Sequence, residues 1–278
     1  MATAAVLSPR DVHTSLNYLS SDTVGSPYNY VEQPPAGVPR TNIVEDPHKV
    51  VVHNARGKED TLGLDKTGFQ YVKHISEEKE FVDEEKIKSR YYKEVEELLK
   101  KETGAKRIFI FDHTIRRSQD HTSQTPNSRG PVKRVHIDQT YPASVERVKL
   151  HLGDEAERLL KSRVRLINVW RPIENPVAHN PLAVANFFSL DREKDLVSTR
   201  HIYPQREGAT FSVRYNPSHE WYYLADQTPE EVTLIKCFDS DEDKARLTPH
   251  SAFADSTSPA SAPQRQSIEV RALVFDAE

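Results

Sequence analysis

After Lys161 the chain is a train of short apolar runs, at residues 164–170, 184–190, 210–215, 221–224, 232–238 and 268–275. Each is rich in β-branched and aromatic residues, the composition of a strand. Turn-forming residues separate them, as at Arg171-Pro172, Asn175-Pro176 and Asn216-Pro217. Residues 107–113 read as a further buried strand, and residues 131–136 as a strand reached through a polar loop over 118–130. Strands this closely spaced fold into a sandwich or a barrel.

Helical patterns precede and interrupt the strands. Ile87, Tyr91, Val95, Leu98 and Leu99 recur at helical spacing, with Asp83 as N-cap and Gly104 as the stop. Ser144 caps a second helix that buries Val145, Val148 and Leu152; Gly153-Asp154 interrupts it before Ala156, Leu159 and Leu160. The class is α+β. Residues 1–60 carry Pro27, Pro34, Pro35, Pro39 and Pro47 and little periodicity, which predicts an extended N-terminal arm anchored by Tyr28, Tyr30 and Val31. Residues 61–278 form the remaining domain. The arm and the first helix are candidates for a homodimer contact or for a lid.

Charge narrows the partners. Charged residues are 29% of the chain, basic and acidic ones are interspersed, and the net charge is -4. No basic excess points to nucleic acid. The single cysteine, Cys237, excludes an intrachain disulfide and a CxxC metal site, and its apolar run marks it as a buried structural thiol. No run approaches the roughly 18 apolar residues of a membrane span, and the first residues lack a basic signal-peptide region. A soluble cytoplasmic protein is expected.

The chemistry starts at Val135-His136-Ile137-Asp138-Gln139. On a strand, His136 and Asp138 project to one side. A neutral imidazole and a carboxylate are two of the three ligands of the 2-His-1-carboxylate triad that binds non-heme Fe(II). His250 is the candidate third. Arg265 and Ser267, as Arg-x-Ser, suit the far carboxylate of a dicarboxylate such as 2-oxoglutarate, because a guanidinium grips a carboxylate with two hydrogen bonds. Arg271 is a rival clamp, and a structural cation is the alternative for it. An HxD pair also occurs by chance, and most histidines are ordinary surface or core residues.

Longer strings narrow the reading. Residues 168–173, 214–224, 236–240 and 267–275 resemble the fungal asaB hydroxylase/desaturase family, which includes gibberellin desaturase-like proteins and is related to the CmcJ-type proteins. The likeness covers residues 105–278 and is weaker before them. It implies a double-stranded β-helix (jelly-roll) core with flanking helices. It also implies Fe(II) at His136, Asp138 and His250, with 2-oxoglutarate and O2 as co-reactants and a small secondary metabolite as substrate. The expected reaction is hydroxylation or desaturation of a C–H bond. Asp138 speaks against a halide-binding halogenase, which needs that position vacant. Tyr215 is nominated for the cosubstrate, and Asn168, Trp170, Arg171 and Arg271 for the substrate; core packing competes for Trp170. Two rivals stand beside the oxygenase: a catalytically silent β-helix binding or partner subunit, and a CmcJ-type methyltransferase. The second would need a glycine-rich loop after a first strand, which the chain lacks.

Overall fold

In the computed structural model, residues 11–117 and 130–278 are described. Of the loop expected over 118–130, all but Gly130 lies outside them. Fourteen strands form two sheets. They are β1 (Val12–Leu19), β2 (Tyr28–Tyr30), β3 (Glu45–Asn54), β4 (Phe69–Lys73), β5 (Arg107–Arg117), β6 (His136–Ile137), β7 (Val164–Pro172), β8 (Leu182–Ala185), β9 (Leu196–Ile202), β10 (Glu207–Val213), β11 (Trp221–Tyr223), β12 (Glu231–Asp239), β13 (His250–Ala252) and β14 (Gln266–Phe275). The larger sheet runs β1-β3-β11-β8-β13-β6-β10-β9-β2, the smaller β4-β12-β7-β14-β5. One apolar cluster draws Val52, Val184, Trp221 and Val213 from the larger sheet and Leu166, Ile235 and Phe275 from the smaller. This is the two-sheet arrangement expected of a jelly roll.

Alternation along each strand decides which residues face that core. On β14, Leu273 and Phe275 join the shared core, whereas Ile268, Val270, Ala272 and Val274 face the other way. That second face is covered by α1 (Glu84–Lys86), a π-helical turn (Ile87–Tyr91) and α2 (Tyr92–Thr103), through Ile87, Tyr91, Val95, Leu98 and Leu99. Asp83 caps this helix by accepting from Glu85 N and Lys86 N, and Gly104 ends it at φ 68°. Cys237 is buried, as expected.

Three expectations shift. Residues 12–54, expected as an extended arm, supply β1, β2 and β3 to the larger sheet, with Pro47 inside β3 opposite Asn17; Leu16 and Tyr18 are fully buried there. Helix α3 (Tyr141–Leu152) is capped by Thr140, whose hydroxyl accepts from Ala143 N at 3.3 Å; Ser144 sits inside the first turn and donates back to Thr140 O. The run 184–190 breaks at Asn186, whose side chain accepts from Phe188 N and turns the chain into a 3-10 helix. Among the described residues, no helix is long and apolar enough to cross a membrane.

Gly68 backs the strand that carries His250. Its φ is +94°, and a Cβ there would lie 2.4 Å from Thr248 Oγ1 and 2.7 Å from Leu247 O. Gly68→Ala is therefore expected to cost about 2–3 kcal/mol through backbone strain and collision, read as a lower denaturant midpoint. A midpoint unchanged from wild type would contradict the close approach.

Candidate metal centre

Strand pairing assembles the site. Two-residue β6 lies between β10 and β13, and its register sets His136 directly opposite His250. The ring centroids are 4.4 Å apart. Asp138 follows His136 by two residues and turns to the same side. Its Oδ1 lies 3.4 Å from His136 Nε2 and 3.8 Å from His250 Nε2. Among the described residues these three form the group that could hold a metal ion, with one donor atom from each inside a 4.8 Å span.

The second atoms of each side chain are already committed. His136 Nδ1 bonds Arg134 O at 2.8 Å, and His250 Nδ1 bonds Thr248 O at 3.0 Å. A carbonyl only accepts, so each Nδ1 carries the proton and each Nε2 keeps its lone pair for a metal. Burial pushes His250 down to about 4, with the neighbouring His136 adding to it, so the imidazole is neutral. Asp138 Oδ2 accepts from Asn168 Nδ2 at 2.7 Å and from Arg271 Nε at 3.2 Å, which leaves Oδ1 facing the two imidazoles. Burial opposes the Asp138 charge, but Arg271 and the two histidines overcome it and hold the carboxyl well below the usual range. Two imidazoles and one ionised carboxylate are the donor set of a facial non-heme iron site, so the residues present fit that metal.

A small cavity of about 40 Å³ opens on the triad, with Arg116, Trp170, Arg265, Glu269 and Arg271 in its wall. Arg265 is 7% exposed. Its Nη1 donates to Asn180 O at 2.8 Å, its Nε is buried without a partner, and its guanidinium lies 5.5 Å from the Trp170 ring centroid. No carboxylate among the described residues pairs with it. Burial lowers its pKa to about 10, which keeps it charged at neutral pH. Ser267, two residues on, is 1% exposed and is not among the residues of the cavity wall. Arg271 is the opposite case. Its donors are spent on Asp138, Asp112 at 3.1 Å, Thr114 at 2.9 Å and Glu269 at 2.5 Å. Of the two candidate clamps, Arg265 has capacity to spare.

Of the other nominated residues, Asn168 and Trp170 are brought to the site and two are not. Asn168 is fully buried, and its amide goes to Asp138 rather than to the cavity; its Oδ1 has no partner. Arg171 is corrected. It is 1% exposed on the far face of β7, where it donates to His74 O, Pro229 O and Tyr91 Oη. Odd and even residues of a strand face opposite sides, so it cannot share the cavity with Asn168 and Trp170. Tyr215 is also corrected. It lies beyond the end of β10, stacked flat on His48 at 3.8 Å and edge-on to Tyr18, and does not line the cavity. Glu269 was not nominated, yet it faces the metal site and pairs with Arg271. The same alternation that links Arg265, Ser267 and Arg271 passes through it and is the signal that finds it.

Asn168→Ala should weaken Fe(II) binding about tenfold, the scale of losing one partner that orients a ligand, with folding retained. Metal affinity equal to wild type would show that Arg271 alone orients Asp138.

Comparisons with known proteins agree with this geometry. A family model described as "Oxidoreductase/YMDC permease-like domain" matches residues 16–275. The hydroxylase/desaturase efuI of Hormonema carpetanum is 35% identical over 98% of this chain and 97% of its own length. The Fe(II)/2-oxoglutarate-dependent dioxygenase nvfI of Aspergillus novofumigatus is 32% identical over 88% of this chain and 90% of its own. Among solved structures, the iron and alpha-ketoglutarate-dependent endoperoxidase NvfI superposes with a TM-score of 0.84 at 28% identity, covering 97% of this chain and 99% of that one.

Proposed function

The chain belongs to the hydroxylase/desaturase family of Fe(II)/2-oxoglutarate-dependent dioxygenases, and from that premise we propose that His136, Asp138 and His250 hold the iron while Arg265 and Ser267 bind the far carboxylate of 2-oxoglutarate. The observation that carries the reading is the pairing of a preset donor triad with a buried guanidinium that has no carboxylate of its own. When bound, Fe(II) and 2-oxoglutarate supply from O2 the oxidising power to break a C–H bond, with succinate and CO2 as coproducts.

The chain's own residues do the rest. The carbonyls of Arg134 and Thr248 fix the two imidazole tautomers so that both Nε2 atoms point inward. Asn168 and Arg271 hold Oδ2 of Asp138, so the carboxylate would offer a metal the single donor Oδ1. Trp170 lies against the Arg265 guanidinium and keeps water from it, which strengthens a carboxylate bond there. Substrates of secondary metabolism, small and largely apolar, are the class this reading assigns, and hydroxylation and desaturation both follow from removing hydrogen beside the metal. Buried Cys237, the sole cysteine, supports a cytoplasmic setting.

Carbon dioxide released from 2-oxoglutarate labelled at C1 tests the activity. With Fe(II) and O2 the wild-type enzyme should release label, slowly when no organic substrate is present, and His250→Ala should not. Wild-type protein that binds iron yet never releases label would favour the silent binding subunit.

A further inference from the structure

A second cavity, of about 460 Å³, lies outside the metal site where α3 meets the β9–β10 hairpin. Arg147 and Arg206 line it together with Arg200, Glu146, Glu207 and Leu150. Both glutamates are spoken for. Glu146 pairs with Lys149 at 2.7 Å, and Glu207 pairs with Arg200. Arg147 and Arg206 have no carboxylate partner among the described residues. Each rests on an aromatic ring instead, Arg147 4.9 Å from the Phe111 centroid and Arg206 3.9 Å from that of Tyr203. Contacts of this kind leave the N–H edges of a guanidinium free for an oxyanion.

His151 stands beside the pair without lining the cavity, and burial, with Arg147 and Arg206 nearby, lowers its pKa. His151 follows Arg147 by one helical turn and shares its face of α3. Its ring stacks on Phe111 at 5.2 Å, and its Nε2 is buried with no hydrogen-bond partner. Burial, with Arg206 and Arg271 nearby, pulls the half-buried Arg147 below its ordinary value; the acid in reach is Asp112, which is bonded to Arg271. Arg147 and Arg206 thus converge with no carboxylate bonded to either among the described residues, an arrangement that costs free energy unless an anion is supplied. Pro142, Ala143, Ala209 and the exposed Leu150 add apolar wall, and Gln139, Thr140 and Ser198 add polar wall.

The two cavities share no lining residue, and the contact between them runs through packed side chains. A bulge between β5 and β14 at Arg271/Ala272 lets Asp112 pair with Arg271 while its neighbour Phe111 packs beneath Arg147. Asp138 is bonded to that same Arg271. We propose that Arg147 and Arg206 form an anion-binding subsite that takes the carboxylate or phosphate end of an otherwise apolar small molecule, whose body lies against Leu150, Ala143 and Ala209. The anion preference does not rest on the proposed function.

Calorimetry on the full chain tests it, with Zn(II) in place of iron and saturating 2-oxoglutarate to occupy Arg265. Octanoate, octyl phosphate and octanol are the probes. At least one anion should bind about tenfold more tightly than octanol, the worth of one charge-assisted hydrogen bond. The tighter of the two names the oxyanion. Arg147→Gln/Arg206→Gln should erase the difference, and Arg147→Lys should keep most of it. Equal binding of all three probes overturns the subsite, as does undiminished octanoate and octyl phosphate binding by the double variant. 2-Oxoglutarate binding, titrated first in the same cell, reads the proposed function separately. Its absence in wild type sinks that reading, while the anion preference still decides the subsite.

Discussion

Arg265→Gln is expected to raise the KM for 2-oxoglutarate about a hundredfold, the loss of two charge-assisted hydrogen bonds, and to leave Fe(II) affinity unchanged. The cause is specific to this position. Arg265 is buried, charged and without a carboxylate, so it is available to the cosubstrate, whereas Arg271 is tied to Asp138, Asp112 and Glu269. The same burial fixes the sign of the stability effect. Removing an uncompensated buried cation relieves its desolvation cost, so the ligand-free variant should melt no lower than wild type. The rise in Tm that 2-oxoglutarate gives the wild type should vanish in the variant, since only a ligand that binds the folded state stabilises it. A normal KM in Arg265→Gln would move the clamp elsewhere.

Asp239→Ala should be the most destabilising of the substitutions considered, by about 3–5 kcal/mol, the cost of breaking a buried ion pair from one side. Asp239 is fully buried and accepts from Lys236 Nζ at 2.6 Å and from Arg163 Nε and Nη2 at 3.0 and 2.6 Å. Lys236 is fully buried too and would keep Asp65 as its carboxylate partner. The cluster ties the start of β7 to the end of β12, and Lys236 N also donates to Gly68 O at 2.8 Å. Gly68 backs Thr248, two residues before His250, so the loss should reach the metal site. Chemical denaturation reads the stability, and a drop below 1 kcal/mol would show that Asp65 alone suffices for both cations.

What was legible in the chain was whatever alternation or local capping decides. β7, β10, β11, β12 and β14, the helix between Asp83 and Gly104, and the pair His136 and Asp138 all obey a short-range period. The elements that escaped are ones that only tertiary pairing defines. β13, three residues long, has no pattern to read, and of the strand expected over 131–136 only His136 falls in two-residue β6; each exists because its neighbours in the larger sheet complete its hydrogen bonds. β1 and β3 carry polar residues on an exposed face, which masks their alternation. Arg171 and Glu269 show the reverse lesson. Period 2 places Arg171 opposite Asn168 and Trp170, and places Glu269 beside Arg271, so strict alternation along β7 and β14 would have excluded the one and found the other. Tyr215 lies past the end of β10 and before the turn at 217–218, where no period applies.

Anaerobic titration with Fe(II) and 2-oxoglutarate tests the central claim most directly. Wild-type protein should develop a weak visible metal-to-ligand charge-transfer band that saturates at one iron per chain. His136→Ala should show no band at the same concentrations, having lost one of three protein donors, while retaining its fold. A wild type that stays colourless, or a variant that develops the same band, would contradict the assignment of His136, Asp138 and His250 as the iron ligands.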